Sequence, residues 1–366
     1  MVAYRAPARV PSEREEVPVS IVGGLDIHRQ QLTYDYLDVD TGQLWRGQIA
    51  PADREHLAAW LARFAPADGP VELAMEACTG WRYVAEELAR AGVVAHLAEP
   101  AETAVLRGPK RRAKTDKADA RLLRELLGAR RLPECWIPPA HVLECRALLG
   151  LFHGLRTEHT AWVQRVHAVC FHQGTPALGV GALSTAEGLA RLEELCQRQL
   201  SPAGRLQVQT ALAMLAALDA QLDVVRRQLL VCSRRLVGAR VLHQRLYGVG
   251  PVTALALCSW LAGGGRFRSA RKAVRLVGLD VTVYASAGKR SPGRLSRQGP
   301  PVLRWLVYEA GMTHARKLAP DHDYYATVAD RIDGKRAALS QARKLVRRAV
   351  HILDELGDQA LVWTQP

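Results

Sequence analysis

Four acidic residues stand where carboxylates could hold a divalent cation. Asp26 interrupts the apolar run GLDIH and Glu76 the run LAMEACTG, where an acid is costly unless paired or bound to a cation. Asp116 and Asp119, in KTDKADA, are three residues apart and share one face if that segment is helical. Thr115 or Asp116 is placed to cap such a helix. Two carboxylates about 4 Å apart repel by roughly 4 kcal/mol at an effective dielectric of about 20. A cluster of four therefore raises its members' pKa values or takes a cation. Magnesium suits the set: it accepts hard oxygen ligands and usually joins carboxylates to phosphate, and paired metals clamp both oxygens of a phosphoryl displacement. Each acid alone reads more readily as an ordinary strand-end or surface residue. The set of four predicts a site.

The elements that must position these acids follow from the hydrophobic pattern. SIVGGLDIH, QLTYDYLDV and QLWRGQIA read as three short strands joined by turn residues such as Asp40-Thr41-Gly42. REHLAAWLARF has helical spacing at Leu57, Trp60, Leu61 and Phe64. VELAMEA and VVAHLAEP then read as strands flanking the helical WRYVAEELARAG. This order predicts a mixed sheet covered by helices, the order of a ribonuclease-H-like fold. In such a sheet the first and fourth strands are neighbours, and a following helix brings its N-terminal acids to their edge.

Beyond about residue 118 the pattern is almost wholly helical. ADARLLRELLGARRL predicts one helix ended by Pro133. PPAHVLECRALLGLFHGLRTEHTAWVQRVHAVC and RLQVQTALAMLAALDAQLDVVRRQLLVCSRRL predict two long amphipathic helices, an antiparallel hairpin or coiled coil. HQGTPALGVGALSTAEG between them reads as loop. LYGVGPVTALAL resembles a helix-hairpin-helix turn, in which Gly248 and Gly250 admit close backbone approach and the next helix start faces a phosphate. A basic helix, RAALSQARKLVRRAVHILDEL, closes the chain.

The 366 residues carry a formal charge of +14, which predicts a polyanionic partner. Lys110, Arg111, Arg112, Lys114 and Lys117 crowd around the acidic pair, and basic residues far outnumber Asp280 and Glu309 between Arg266 and Lys317. No apolar run is expected to reach the roughly 20 residues of a membrane span, so nucleic acid is favoured over a membrane partner. Residues 1–18 lack the apolar core of a signal peptide and read as a disordered leader. The seven cysteines are scattered without CxxC spacing, which predicts neither a disulfide framework nor a zinc site and fits a reducing cytoplasm. The twelve histidines show no ligand spacing, and His28 reads as a strand residue. Trp60, Trp81, Trp136 and Trp162 read as packing residues.

GLDIH, MEACTG and KTDKADA resemble the Asp, Glu, Asp and Asp motifs of the DEDD insertion-sequence transposases with a RuvC-like domain. That group includes the bridge-RNA-guided recombinases and the pilin-gene inversion recombinase. The resemblance covers roughly residues 20 to 130 and 243 to 317. In the second stretch Gly278-Leu279 matches the family's GLxP segment. Gly293, Leu295, Ser296, Arg297 and Gly299 match GxISKxG, and Leu303-Arg304 matches the closing LR pair. Ser286 falls at the nucleophile position. Val281 replaces the usual proline, and Ala287 separates Ser286 from Gly288. A serine hydroxyl needs activation, and Lys289, Arg290, Arg294, Arg297 and Arg304 are the cations available to phosphoryl oxygens. Ser291 and Ser296 are rivals in the same loop, and no general base is evident.

The resemblance implies a DNA transposase or recombinase in a prokaryotic, nucleoid-associated setting. It would cleave and rejoin donor and target DNA through a transient phosphoserine link, with Mg²⁺ on Asp26, Glu76, Asp116 and Asp119. It also implies a noncoding bridge RNA as guide and a homo-oligomer, dimer or tetramer. The expected organisation is a leader (1–18), a RuvC-like domain (19–132), a helical or coiled-coil linker (133–240), a serine-bearing domain (241–320) and a C-terminal basic helix (321–366). Two alternatives stand beside it: a metal-dependent nuclease that resolves DNA junctions, and a non-enzymatic nucleic-acid-binding protein derived from a transposase.

Overall fold

Strand alternation in the N-terminal part of the chain decides which side chains face which helices. A computed structural model describes residues 19–65, 69–107, 115–282, 284–286, 289–291 and 293–365, with 284–286 and 289–291 described by backbone alone. The expected leader, 1–18, lies outside the described residues. Two compact units emerge, Met1–Pro138 and Pro139–Pro366.

The first unit runs β1 (Ile21–Ile27), β2 (Leu32–Asp38), β3 (Leu44–Ile49), α1 (Arg54–Leu61), β4 (Val71–Glu76), α2 (Trp81–Arg90), β5 (Val94–Ala98), α3 (Pro100–Leu106), α4 (Asp116–Gly128) and β6 (Glu134–Cys135). The strands form one six-stranded sheet in the order β3–β2–β1–β4–β5–β6. β1 pairs antiparallel with β2 and parallel with β4, and β4 pairs parallel with β5. This mixed pairing is consistent with the ribonuclease-H-like domain expected from the sequence.

One sheet face carries Leu25, Leu32, Tyr36, Leu73 and Met75 against Leu57, Trp60, Phe64, Val84 and Leu88, from α1, the turn after it and α2. Trp60 and Tyr36 both meet Phe64 edge-on, at 5.0 and 5.2 Å between ring centroids, a favoured aromatic geometry. The opposite face carries Val22, Ala74 and Ala98 against Leu123 and Leu127 of α4. Gly24 lies on that face, and a Cβ there would come within 2.1 Å of the Ala120 carbonyl oxygen and 2.7 Å of the Arg124 nitrogen. α4 therefore seats directly on the β1 backbone. Asp35 on β2, buried, holds Arg124 at 2.5 Å and Arg46 at 2.8 Å and ties the helix across the sheet.

Several local expectations change. α4 stops at Gly128, not at Pro133, because Arg130 takes a left-handed conformation (φ 52°) and turns the chain. α3 went unread, although Glu99 caps it by accepting from the Glu102 amide at 2.6 Å and Pro100 opens it. β6 has only two residues, too few for any periodicity to show.

The second unit begins with α5 (Ala140–His172), α6 (Ala186–Arg198) and α7 (Pro202–Arg235). α5 and α7 run antiparallel: the Ser201 amide donates to Gln173 at 2.7 Å, His159 lies 3.2 Å from Asp219, and Cys145 hydrogen-bonds Cys232. α6 was not anticipated; it packs Leu192 into a cluster with Val166, Cys170, Val208 and Ala211. α7 corrects the expectation about apolar runs, since an 18-residue window of it has mean hydropathy 1.3 and is apolar enough to cross a bilayer by length and composition alone. Its buried stripe, Val208, Ala211, Leu215, Leu222, Val225 and Leu229, follows the three- and four-residue steps of a helix packed on one partner.

The rest is α8 (Val237–Arg245), α9 (Pro251–Leu261), α10 (Ala270–Leu276), the hairpin β7 (Tyr284–Ser286) and β8 (Lys289–Ser291), α11 (Pro301–Met312), α12 (His322–Arg331) and α13 (Gly334–Leu356). α9 is buried on almost every side. The closing basic helix is α13, and it is a central element: Ala338, Ala342, Leu345, Val346, Ala349 and Val350 are buried while Arg336 and Arg347 face outward. Among the described residues α12 precedes it, so the region after 321 holds two helices rather than one.

The seat of α4 generates a prediction. Gly24→Ala should lower the urea midpoint by an amount equivalent to about 2 kcal/mol, the cost of overpacking a tight contact. Gly150→Ala on α5, where a Cβ would meet nothing within 4 Å, should be neutral or stabilising by up to about 1 kcal/mol. Equal effects at both positions would contradict the packing described.

Candidate active site

Asp26 and Glu76 reach the same place because both follow the alternation of the α4 face. On β1 that face is Val22, Gly24 and Asp26; on the parallel β4 it is Glu72, Ala74 and Glu76, with Leu25 opposite Met75 in register. The two acids thus stand side by side at the C-terminal ends of adjacent parallel strands. α4 contributes its first turn. Thr115 caps it, accepting from the Ala118 amide at 3.2 Å, and Asp116 and Asp119 follow within that turn. Acids at a helix N-terminus are also favoured by the helix dipole.

Electrostatics ties the four together. The Asp26 carboxyl is pushed up to about 6, first by burial and then by the charges of Asp116, Asp119 and Glu76, with His28 acting in the opposite sense. Burial, with Asp26 and Glu76 beside it, also pushes the Cys78 thiol up. Asp116 and Asp119 hold protein partners. Gln31 donates to Asp116 at 3.3 Å, and the Arg107 guanidinium lies 2.8 Å from the Asp119 carboxylate.

A donor set of four hard carboxylate oxygens at one strand edge has the chemistry of a divalent-cation site. Among the described residues, however, no three His, Cys, Asp or Glu side chains converge on a single cation position. The residues fit the ion in type and neighbourhood, and the side chains are arranged around Gln31 and Arg107 instead. Neither of those two was singled out in the sequence. Arg107 lies three residues before Lys110, at the start of the basic stretch RGPKRRA, and nothing in that stretch distinguishes an acid's partner from a solvated cation.

Of the expected nucleic-acid contacts, Lys110, Arg111, Arg112 and Lys114 lie outside the described residues, and Lys117 is exposed on the first turn of α4. Gly248 has φ +75°, and a Cβ there would fall 2.1 Å from the Thr313 hydroxyl, so its lack of a side chain serves packing beneath α11. Gly250, the residue before α9, has open space around it.

Ser286 ends β7, paired in register with Lys289 across the hairpin, with Ala285 opposite Arg290. The base of the hairpin is pinned from both sides. Val281 bridges Leu295, and the Thr282 amide donates to the Arg294 carbonyl at 2.8 Å. The Ser296 hydroxyl donates to Asp280, and the Arg343 guanidinium donates to the Leu279 carbonyl at 2.7 Å. Gly278, Gly293 and Gly299 stand where a Cβ would approach a carbonyl oxygen of the facing segment within 2.0, 1.7 and 1.8 Å. Arg304 donates to the Val277 carbonyl at 3.4 Å, and burial holds its pKa below the usual arginine value. Arg297 has φ 52°. Arg304 thus faces the carbonyls of this loop, whereas Arg294 joins it through the backbone and leaves its exposed side chain outward.

Comparison with known proteins places both stretches. Residues 23–170 match a transposase family of the DEDD, IS110 type, and residues 241–326 match the "Transposase IS116/IS110/IS902 family". A "Probable family 20 transposase" of Pseudomonas aeruginosa is 26% identical over 271 residues, which cover 69% of this chain and 74% of that protein.

The raised Asp26 carboxyl fixes a pH dependence. An acid with a folded pKa near 6, against 3.8 ordinarily, binds its proton more tightly folded than unfolded, so stability falls as pH rises from about 4 to about 6 and stays low above. Asp26→Asn should remove that fall. In chelator at pH 7.5 it should be more stable than the wild type by about 1 kcal/mol, discounted because the group is half exposed. Thermal melts across pH 4 to 8 that superimpose for the two proteins would contradict the repulsion.

Proposed function

The chain belongs to the IS116/IS110/IS902 family of DEDD transposases, and from that premise we propose that it cuts and rejoins DNA through Ser286 under the guidance of a structured RNA. One observation carries the reading of the first unit. Asp26 carries the charge effect of Glu76, Asp116 and Asp119, all distant from it in sequence, at the end of two parallel strands. Mg²⁺ on Asp26, Glu76, Asp116 and Asp119 would neutralise that charge and supply Lewis-acid stabilisation to a phosphoryl oxygen.

The chain's own residues do the rest. Asp26 and Glu76 are fixed by the sheet, and Asp116 and Asp119 by the cap at Thr115 and the seat of α4. Ser286 ends a strand whose base is held by the Asp280–Ser296 contact and by three glycines that admit close backbone approach, which suits a residue that must be presented rigidly. Its hydroxyl oxygen would form a bond to a DNA phosphorus as the bond to the leaving oxygen breaks. The serine proton is released, and the leaving oxygen takes one up to become a free strand-end hydroxyl. Attack by another strand's hydroxyl on the phosphoserine reverses these changes and rejoins DNA. Lys289, Arg290, Arg294 and Arg297 supply positive charge around that loop.

The guide and the assembly belong to the same reading. The charge of +14 suits a large polyanion, and a bridge RNA pairing with donor and target DNA would leave the protein to grip backbone and shape. Joining two DNA ends calls for a homo-oligomer, a dimer or tetramer.

Ser286→Ala should retain RNA and DNA binding and lose the covalent protein–DNA adduct on denaturing gels. An adduct that persists moves the nucleophile to Ser291 or Ser296. Mg²⁺-dependent cleavage by the wild type without any adduct favours the junction-resolving nuclease. RNA binding should weaken steeply between about 50 and 200 mM salt, and recombination of purified DNA after complete RNA removal would refute guiding.

A further inference from the structure

We propose that Arg107 is the exchangeable counter-ion of the acid site: its guanidinium holds Asp119 while no cation is bound and competes with a divalent cation for that carboxylate. The inference rests on the reading of the four acids as a cation site. Three observations carry it. Arg107 lies 2.8 Å from Asp119, the one member of the four that is buried. The guanidinium is itself largely covered, with 27% of the side chain exposed, so the pair is shielded from the solvent screening that makes exposed pairs negligible. Its Nε is buried and has no hydrogen-bond partner among the described residues. A structural arginine usually has its buried donors satisfied. Among the described residues one donor here is unmet, so the contact with Asp119 does not fully settle this group.

Charge gives the contact its purpose. Without a cation, four carboxylates share one strand edge. The Arg107 guanidinium offsets part of that charge and stabilises the cation-free fold. Once a divalent ion arrives, the same guanidinium becomes a like charge beside it. It must give up Asp119 or weaken the ion. A released guanidinium has the fork geometry that suits a phosphate, the group a cation at this edge would face.

The test uses the full-length protein and Mn²⁺ alone, titrated by calorimetry and followed by the loss of the free-ion EPR signal. Arg107→Gln keeps most of the stem and removes the charge. It should bind Mn²⁺ about tenfold tighter than wild type, the order of one charge-assisted hydrogen bond, and melt lower in chelator. Arg107→Lys should restore wild-type affinity. Lys117→Gln, which takes a charge from the same helix turn without touching Asp119, should change affinity less than about twofold. Equal tightening in Arg107→Gln and Lys117→Gln would overturn the proposal in favour of a general field. Weaker or unchanged binding in Arg107→Gln would overturn it in favour of a residue that merely orients Asp119. If wild type, Arg107→Gln and Asp26→Asn all fail to bind Mn²⁺, the cation-site reading falls and the proposal with it.

Discussion

The close seat of α4 on β1 is the constraint on which the first unit depends. At Gly24 the helix backbone occupies the space a methyl group would need, and the Arg124–Asp35 ion pair fixes the helix across the neighbouring strand. Leu123 and Leu127 fill the layer beneath, against Val22, Ala74 and Ala98. The consequence lies one turn away. With α4 held there, its first turn carries Asp116 and Asp119 to the ends of β1 and β4. The burial of this apolar layer opposes the repulsion that Asp116, Asp119 and Glu76 impose on Asp26.

The second unit uses glycine in the same way for a different purpose. Gly278, Gly293 and Gly299 are places where two segments of backbone pass too close for any side chain, and together they fix the base of the hairpin whose first strand ends at Ser286. The family motif read there as GLxP and GxISKxG is therefore in large part a packing motif. Arg304 of the same motif lies 3.4 and 3.5 Å from two carbonyl oxygens of the loop. Asp280, an acid in a strongly basic stretch, is used to hold Ser296 and closes the hairpin.

What was legible in the sequence was whatever leaves a mark within a few residues. Acids breaking apolar strands marked Asp26 and Glu76, and a three-residue spacing behind a threonine cap marked Asp116 and Asp119. The first five strands and the long helices showed in their periodicity. Asp35 breaks an apolar strand just as Asp26 does, yet it serves as a helix anchor, because its partner Arg124 lies 89 residues away. Nothing local separates the two roles. Arg107 was hidden among other cations for the same reason. α3, with seven residues, and the three-residue strands β7 and β8 were too short to show a period. α13 was read by its charge, although its alanine-rich buried face decides its place.

The central claim is that residues from β1, β4 and α4 make one cation site. Iron-directed cleavage tests it most directly: Fe²⁺ is bound in place of Mg²⁺, ascorbate and peroxide generate hydroxyl radical at the metal, and backbone cuts are mapped. The account predicts cuts at three places at once, near Asp26, near Glu76 and at 116–119, all suppressed together by excess Mg²⁺ and by Asp26→Asn. Cuts confined to one of these segments, or clustered elsewhere in the chain, would contradict it.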